Sequence, residues 1–188
     1  MDQHEVYPFL QTLEDNWEVI LEELDNLLYN ETVSNISLFK PWHEKEIYVG
    51  DWDVFGLYAF GKKIDENCQR CPKTTEIIES IPGLTMAGFS ALAPDTYIKP
   101  HVGYTDKVLR CHLGLIKPKA FERQDRCSSY KSESDTCGLK VDDKIYHWEP
   151  GKAFVFDDTL LHEAWNWGDR TRFILLIDFL KLEGGATP

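Results

Sequence analysis

Apolar side chains recur at spacings of three and four residues between Phe9 and Tyr29, and acidic residues occupy the opposite positions. This pattern is typical of an amphipathic helix that packs on a domain core. A second, shorter helix is predicted over Lys73–Ile81, where Pro82 and Gly83 end it. Residues 1–45 are therefore expected to form a helical N-terminal part.

Beyond this part the pattern changes to short apolar runs between turn signals, which is typical of strands. The alternating segment Asp51–Phe60 predicts a strand, and the polar segment Gly61–Pro72 predicts a loop. Further strands are predicted at Met86–Leu92, Tyr97–Lys99, Val108–Ile116, Ile145–His147, Ala153–Phe156 and Phe173–Phe179. Strands of this length and spacing favour a sandwich or barrel.

One segment, Lys119–Asp143, is polar and irregular, and it reads as a long insertion that serves as a lid or mobile loop. No internal repeat or second domain is visible. We therefore expect one catalytic domain over residues 1–188, with a β core over residues 50–180.

Charge narrows the possible partners. The 188 residues carry a formal net charge of −12, and 43% of them are hydrophobic. An acidic surface of this kind argues against nucleic acids and anionic membranes as partners. The sequence contains no apolar run long enough to span a bilayer and no recognisable signal peptide, so a cytoplasmic location is expected.

Five cysteines are present, and Cys68 and Cys71 form a C-x-x-C pair. A zinc site would need a second pair of ligands, and Cys127 and Cys137 are poorly spaced for it. We expect mostly reduced thiols, with a local disulfide and a zinc site as alternatives.

Two histidines far apart in the chain, His101 and His162, are candidate ligands of a non-haem iron. Such sites commonly use two histidines and one carboxylate on one face of the metal, which leaves positions for a cosubstrate and O₂. The common form is His-x-Asp/Glu, but here Gly103 stands in the carboxylate position and leaves it open. The acidic residues around His162 are candidates to orient its imidazole.

Cationic side chains accompany these histidines on apolar strands. Arg172 opens the strand Phe173–Phe179, so its guanidinium is expected to point into the interior, where it needs an anion. A planar guanidinium suits a carboxylate such as the far end of a 2-oxo acid. Arg110 and His112 lie two residues apart and therefore share one face of their strand.

The motifs His101–Leu115 and Trp148–Trp165, with Arg172 ten residues after His162, resemble the aspartyl/asparaginyl β-hydroxylase family. The segments Glu66–Cys68 and Pro72–Thr74 also resemble its catalytic domain. The similarity extends roughly from Trp52 to Phe179.

This resemblance implies a mainly β fold, a double-stranded β-helix (cupin-like jelly roll) with the N-terminal amphipathic helix and the second short helix packed on it. It implies Fe(II), 2-oxoglutarate and O₂ as cofactors. Iron would be held by His101 and His162 alone, with Gly103 at the open position. The residues implied for 2-oxoglutarate are Ser90 and Arg172 at its distal carboxylate and Arg110 and His112 at its other end.

The resemblance also implies a hydroxylase that converts 2-oxoglutarate to succinate and CO₂. Its expected substrate is an Asp or Asn residue, a free amino acid or another small polar molecule. The family's peptide hydroxylases carry an arginine where this chain has Val108, so the substrate class stays open. A halogenase, with chloride in the open iron position, and a non-catalytic cupin-like protein that binds a metal and a small acid are alternatives.

Overall fold

The computed structural model describes residues 2–119 and 136–181. Helices come first along the chain, and strands dominate after them. The helices are α1 (Gln3–Val6), α2 (Phe9–Asp15), α3 (Trp17–Ser34), α4 (Asp65–Arg70) and α5 (Pro72–Glu79), with a short 3-10 helix at Lys45–Ile47. The strands are β1 (Lys40–Pro41), β2 (Tyr48–Val49), β3 (Trp52–Ala59), β4 (Lys62–Lys63), β5 (Leu84–Leu92), β6 (Thr96–His101), β7 (Val108–Ile116), β8 (Cys137–Val141), β9 (Lys144–Tyr146), β10 (Ala153–Phe156), β11 (His162–Asn166) and β12 (Arg172–Leu180).

The described strands form two antiparallel sheets that face each other. The larger sheet has the order β1-β3-β5-β12-β7-β10, with β4 paired to β3, and the smaller has the order β2-β6-β11-β8-β9. Buried side chains from both sheets pack together between them, among them Trp52 and Ile174 from the larger and Ile98 and Leu139 from the smaller. This is the double-stranded β-helix that the resemblance implies, so the predicted fold class is confirmed.

The helices cover the outer face of the larger sheet. Leu10, Leu24 and Ile78 from three helices share one apolar cluster with Phe89 and Leu175 from two strands. Helix α5 packs against both α3 and β5, so the predicted second helix lies where it was expected. The central strands of the larger sheet are consequently buried on both faces.

The two-residue period of a strand decides which side chains enter the space between the sheets. On β12, Leu175 and Ile177 face the helices. Arg172, Ile174 and Asp178 alternate with them and therefore face the opposite sheet. An arginine and an aspartate are thus directed into an apolar interior by the same alternation that builds the core.

The predicted helix over Phe9–Tyr29 is interrupted at Asn16 and extends further, to Ser34. The Asn16 side chain donates a hydrogen bond to the Thr12 carbonyl (2.8 Å), which replaces the regular ladder at this point. Helix α4 lies inside the segment Gly61–Pro72, where a loop was predicted. The spacing of apolar residues gives no sign of the break at Asn16 or of helix α4, so neither could be predicted from it.

The predicted insertion Lys119–Asp143 is wrong over its last part, because Cys137–Val141 is a strand paired with β11 and β9. Its residues 120–135, and with them Cys127 and the predicted lid, lie outside the described residues.

Strand β11 at His162–Asn166 was not predicted, because its polar and aromatic residues do not form an apolar run. That the whole chain is one domain stays a prediction.

In the described ranges, no helix is both long enough and apolar enough to cross a membrane.

Candidate active site

His101 and His162 lie side by side on neighbouring strands of the smaller sheet. Strands β6 and β11 pair with these two residues opposite each other. Their ring centroids are 4.2 Å apart, and both rings line one cavity between the sheets. Side chains that are 61 positions apart in sequence are therefore brought to one point, as the proposed pair of metal ligands requires.

Each imidazole is held in one orientation by the backbone. The Nδ1 atom of His101 lies 2.8 Å from the Lys99 carbonyl oxygen, and that of His162 lies 2.9 Å from the Leu160 carbonyl oxygen. A carbonyl only accepts, so both rings carry their proton on Nδ1 and keep a lone pair on Nε2. This arrangement is the usual support of a metal-binding histidine.

Burial favours the neutral form that a metal ligand must have. It lowers the pKa of His101, and it lowers the pKa of His162 to about 4. Both rings are therefore uncharged at neutral pH and compete little with protons for a cation.

At Gly103, where the common pattern has a carboxylate, the structure leaves no space for a side chain. A β-carbon at Gly103 would lie 2.4 Å from the Asp158 Oδ2 atom, and the Gly103 amide donates to the Asp158 carbonyl oxygen (2.6 Å). The carboxylate of Asp158 therefore occupies the space into which a side chain at position 103 would project. Within the described residues, no cluster of three or more His, Cys, Asp and Glu side chains is arranged to hold a metal.

Arg172 is 2% exposed, and no carboxylate of the described residues lies within ion-pair distance of it. Its Nη2 donates to the Ser90 hydroxyl (3.2 Å), its guanidinium lies 4.5 Å from the centre of the Trp148 ring, and its Nε has no partner. Burial lowers the pKa of Arg172 to about 10. A buried cation without a counter-ion among the described residues is a candidate site for an anion.

His112 supplies a second free donor near Arg172. The Trp148 indole donates to its Nδ1 (3.2 Å), so the proton of the neutral ring is on Nε2. That Nε2 atom is buried and has no hydrogen-bond partner. Burial and the charge of Arg172 lower the pKa of His112 well below its usual value, so the ring offers a neutral N–H.

Arg110 differs from Arg172 because the protein itself neutralises it. Its Nε and Nη2 donate to the two carboxylate oxygens of Asp178 (2.7 and 2.9 Å), and Nη2 lies 3.2 Å from Asp158 Oδ2. Arg110 still lines the cavity. The acidic pair holds its guanidinium in place and raises its pKa.

The structure thus brings the predicted site residues together around one cavity: Ser90, His101, Arg110, His112, His162 and Arg172. Their roles remain predictions. The imidazoles are oriented by carbonyl oxygens and not by the acidic residues proposed from sequence, since Glu163 accepts a hydrogen bond from the Tyr97 hydroxyl instead. Sequence reasoning gave no role in the site to Trp52, Trp148 or Asp178. Two of them carried a signal, since Trp148 begins the motif Trp148–Trp165 and Asp178 is a lone acid in an apolar strand.

None of the four described cysteines lines this cavity. All four described cysteines, Cys68, Cys71, Cys111 and Cys137, are buried and free, which agrees with the expectation of reduced thiols. The alternative of a local disulfide is therefore wrong for the described cysteines.

Comparison with known proteins places the chain in a family. Residues 14–181 match the family model described as aspartyl/asparaginyl beta-hydroxylase. The chain belongs to this family, and the family predicted from the sequence is confirmed, as is its character as a hydroxylase family of the oxygenase class.

Two curated relatives differ in the substrates that their names give. The ornithine lipid ester-linked acyl 2-hydroxylase of Rhizobium tropici is 34% identical over 93% of this chain and 58% of the relative. The human aspartyl/asparaginyl beta-hydroxylase is 30% identical over 90% of this chain and 20% of that protein. The chain therefore spans little more than half of the first relative and a fifth of the second.

Among solved structures, a Pseudomonas putida prolyl-4-hydroxylase has the same fold, with a TM-score of 0.51. It is 15% identical, and the match covers 88% of this chain and 87% of that chain. This likeness concerns the fold.

Proposed function

We propose that the protein is an Fe(II)- and 2-oxoglutarate-dependent oxygenase that hydroxylates a C–H bond. The observation that carries this proposal is the pair His101 and His162, whose rings meet 4.2 Å apart with both Nδ1 atoms tied to carbonyl oxygens. Two neutral imidazoles fixed in this way fit Fe(II), for which nitrogen ligands and open positions suit O₂ chemistry.

The remaining polar groups fit 2-oxoglutarate. Arg172 and Ser90 would take the distal carboxylate, because this buried guanidinium lacks an anion and has an unpaired Nε. The free Nε2–H of His112 and the guanidinium of Arg110 would meet the end nearer the metal. When bound, iron and 2-oxoglutarate activate O₂, so that one oxygen atom enters the substrate C–H bond and the other leaves in succinate, with release of CO₂.

The chain itself contributes position and shielding. Trp148 covers Arg172 and fixes the tautomer of His112, while the Trp52 indole donates to the Ser90 hydroxyl (3.0 Å). These contacts prepare the donors before a ligand arrives, which lowers the cost of binding. Apolar walls around them keep water away and strengthen the charge interactions inside.

The substrate proposed from sequence is an Asp or Asn residue, a free amino acid or another small polar molecule. The names of the relatives add an ester-linked acyl chain as a second class. A cytoplasmic location without nucleic-acid or membrane partners is part of the proposal, supported by the net charge of −12 and four buried free cysteines.

The test is an incubation of the purified protein with Fe(II), 2-oxoglutarate and O₂ and a panel of candidate substrates, with succinate and product mass as readouts. The proposal predicts succinate and a mass gain of one oxygen atom, both lost without iron. A chlorinated product in the presence of chloride would indicate a halogenase. Binding of 2-oxoglutarate without succinate from any substrate would indicate a non-catalytic protein.

A further inference from the structure

One buried acid close to the histidine pair has bare carboxylate oxygens. Asp158 lies in the turn between β10 and β11 and is 0% exposed. Neither of its carboxylate oxygens accepts a hydrogen bond from the described residues, although the Arg110 Nη2 atom lies 3.2 Å from Oδ2. Buried carboxylates are usually hydrogen-bonded, because burying a bare charge is costly. An acid kept in this state is a candidate for a role in the site.

Asp158 adjoins the place where the common pattern has its carboxylate ligand, which we call the open position. A β-carbon at Gly103 would lie 2.4 Å from Oδ2, 2.5 Å from Cγ and 2.7 Å from Oδ1 of Asp158. The whole carboxyl group therefore surrounds the point at which a ligand side chain would begin. Asp158 does not complete a three-ligand cluster with His101 and His162, since none is found in the described ranges.

The charge of Asp158 is not fully compensated by its surroundings. Arg110 stands opposite Asp178 on paired strands and donates to its carboxylate from Nε and Nη2, at 2.7 and 2.9 Å. One guanidinium thus faces two acids, and when both are ionised the three side chains carry a surplus negative charge. The Lys181 ammonium pairs with Asp157 instead. Screening is weak in a buried site, so this surplus acts strongly on nearby ions.

The neighbouring acid shows how a purely structural carboxylate is bonded in this turn. Asp157 accepts hydrogen bonds from the amide and the hydroxyl of Thr159 and from Lys181. Asp158 makes none of these contacts and is directed at Gly103 instead. Holding the turn together therefore does not account for Asp158.

We infer that Asp158 keeps small anions out of the open position, so that the protein hydroxylates its substrate and does not halogenate it. This inference rests on the proposed function and decides between two outcomes of its test. A halide at the open position would meet both the bulk of the carboxyl group and a charge of its own sign. O₂ is uncharged and meets no such repulsion. 2-Oxoglutarate is anchored by Arg172 at its far end, and a free halide has no such anchor.

The test measures anion binding at the metal and does not depend on turnover. The full chain is loaded with Co(II) in place of Fe(II), saturated with 2-oxoglutarate so that Arg172 is occupied, and titrated with azide and with chloride without O₂. The visible absorption bands of Co(II) change when an anion coordinates. We expect the wild-type spectrum to stay unchanged, and Asp158→Ala to bind azide at least about tenfold more tightly than the wild-type protein.

Two further variants locate the effect. Asp158→Asn keeps the bulk and removes the charge, so its azide affinity, compared with that of Asp158→Ala, separates repulsion from steric exclusion. The matched control is Asp157→Asn, which makes the same change of charge one residue away and should leave azide affinity unchanged. Azide affinity that rises in neither Asp158 variant, or rises equally in the control, would overturn the inference. Urea unfolding of each variant verifies that it is folded.

A measurement on the wild-type protein covers the case in which the Asp158 variants do not fold. With Fe(II) and 2-oxoglutarate, nitric oxide serves as an uncharged analogue of O₂ and is detected by paramagnetic resonance. The wild-type protein should bind nitric oxide and not azide, and comparable binding of both would overturn the inference. Absence of metal or 2-oxoglutarate binding, recorded before any anion is added, contradicts the proposed function itself, and the inference falls with it.

Discussion

Gly103 lies so close to Asp158 that a β-carbon at position 103 would be 2.4 Å from one carboxylate oxygen and 2.7 Å from the other. The backbone of the loop after His101 thereby rests on a buried acid from the turn before His162. The two segments that carry the candidate metal ligands are in contact here, and a side chain at 103 would have to displace the Asp158 carboxylate.

Gly103→Asp is therefore predicted not to restore a third iron ligand. Any side chain at 103 must displace the Asp158 carboxylate, so Gly103→Ala should already lower the free energy of unfolding by about 1–3 kcal/mol. Urea unfolding of the wild-type protein and of Gly103→Ala measures this cost.

The matched control is the double variant Gly103→Ala with Asp158→Ala. If the clash is the cause, Gly103→Ala should lower the free energy of unfolding less in the Asp158→Ala background than in the wild-type background. Equal costs in both backgrounds would show that the contact with Asp158 does not set the requirement for glycine.

Arg172→Met should weaken 2-oxoglutarate binding by roughly 2–5 kcal/mol, because a buried charge pair with the distal carboxylate is lost. The stability of the protein without ligand should be kept or raised, since the variant removes a buried cation that has no counter-ion among the described residues. Calorimetric titration and urea unfolding measure the two quantities.

Arg170→Met is the control for that experiment. Arg170 is two residues away, its side chain is 51% exposed and it pairs with Asp169 on the surface. Its removal should leave 2-oxoglutarate affinity unchanged. Equal losses in both variants, or no loss in Arg172→Met, would refute the assigned carboxylate site.

His101→Ala and His162→Ala should each weaken Mn(II) binding. Loss of a residue that only orients a ligand costs roughly 10–100-fold in metal affinity, so loss of a ligand itself should cost more. His147→Ala provides a matched control, because its Nδ1 also faces a carbonyl oxygen, that of Cys137 at 3.2 Å, but it does not line the cavity. Paramagnetic resonance of free Mn(II) gives the affinities. If His101→Ala or His162→Ala bound Mn(II) as tightly as the wild-type protein, the ligand assignment would be contradicted.

The buried thiols should be inert in the folded protein. Burial raises the pKa of Cys71 to about 12 and of Cys137 to about 11, and it raises that of Cys111 as well. Since the thiolate is the reactive form, iodoacetamide at pH 8 should label these three only after unfolding. Peptide mass spectrometry decides this, and rapid labelling of the native protein would be the contrary result.

Much of the fold could be predicted because apolar runs coincide with strands that are buried on at least one face. Val108–Ile116 and Ala153–Phe156 were predicted with their observed bounds. Cys137–Val141 was missed because it follows a polar segment, and the helix break at Asn16 was missed because it is accompanied by a side-chain hydrogen bond and not by a change in apolar spacing. Such local polar contacts leave no trace in a hydrophobic pattern.

The residues of the candidate site could be predicted from the sequence for a related reason. An arginine or histidine inside an apolar strand must have a partner, which singled out Arg110, His112 and Arg172. The different states of the two arginines could not be foreseen, because Asp178 reaches Arg110 across paired strands. The carbonyl oxygens that orient the two histidines depend on backbone conformation, which residue types alone do not specify.

The most direct measurement is a crystal structure, grown without O₂, of the protein with Mn(II) and 2-oxoglutarate. The account predicts one Mn(II) bound by Nε2 of His101 and Nε2 of His162, with the distal carboxylate of 2-oxoglutarate on Arg172 and Ser90. A metal bound elsewhere, or a 2-oxoglutarate whose carboxylate avoids Arg172, would contradict it.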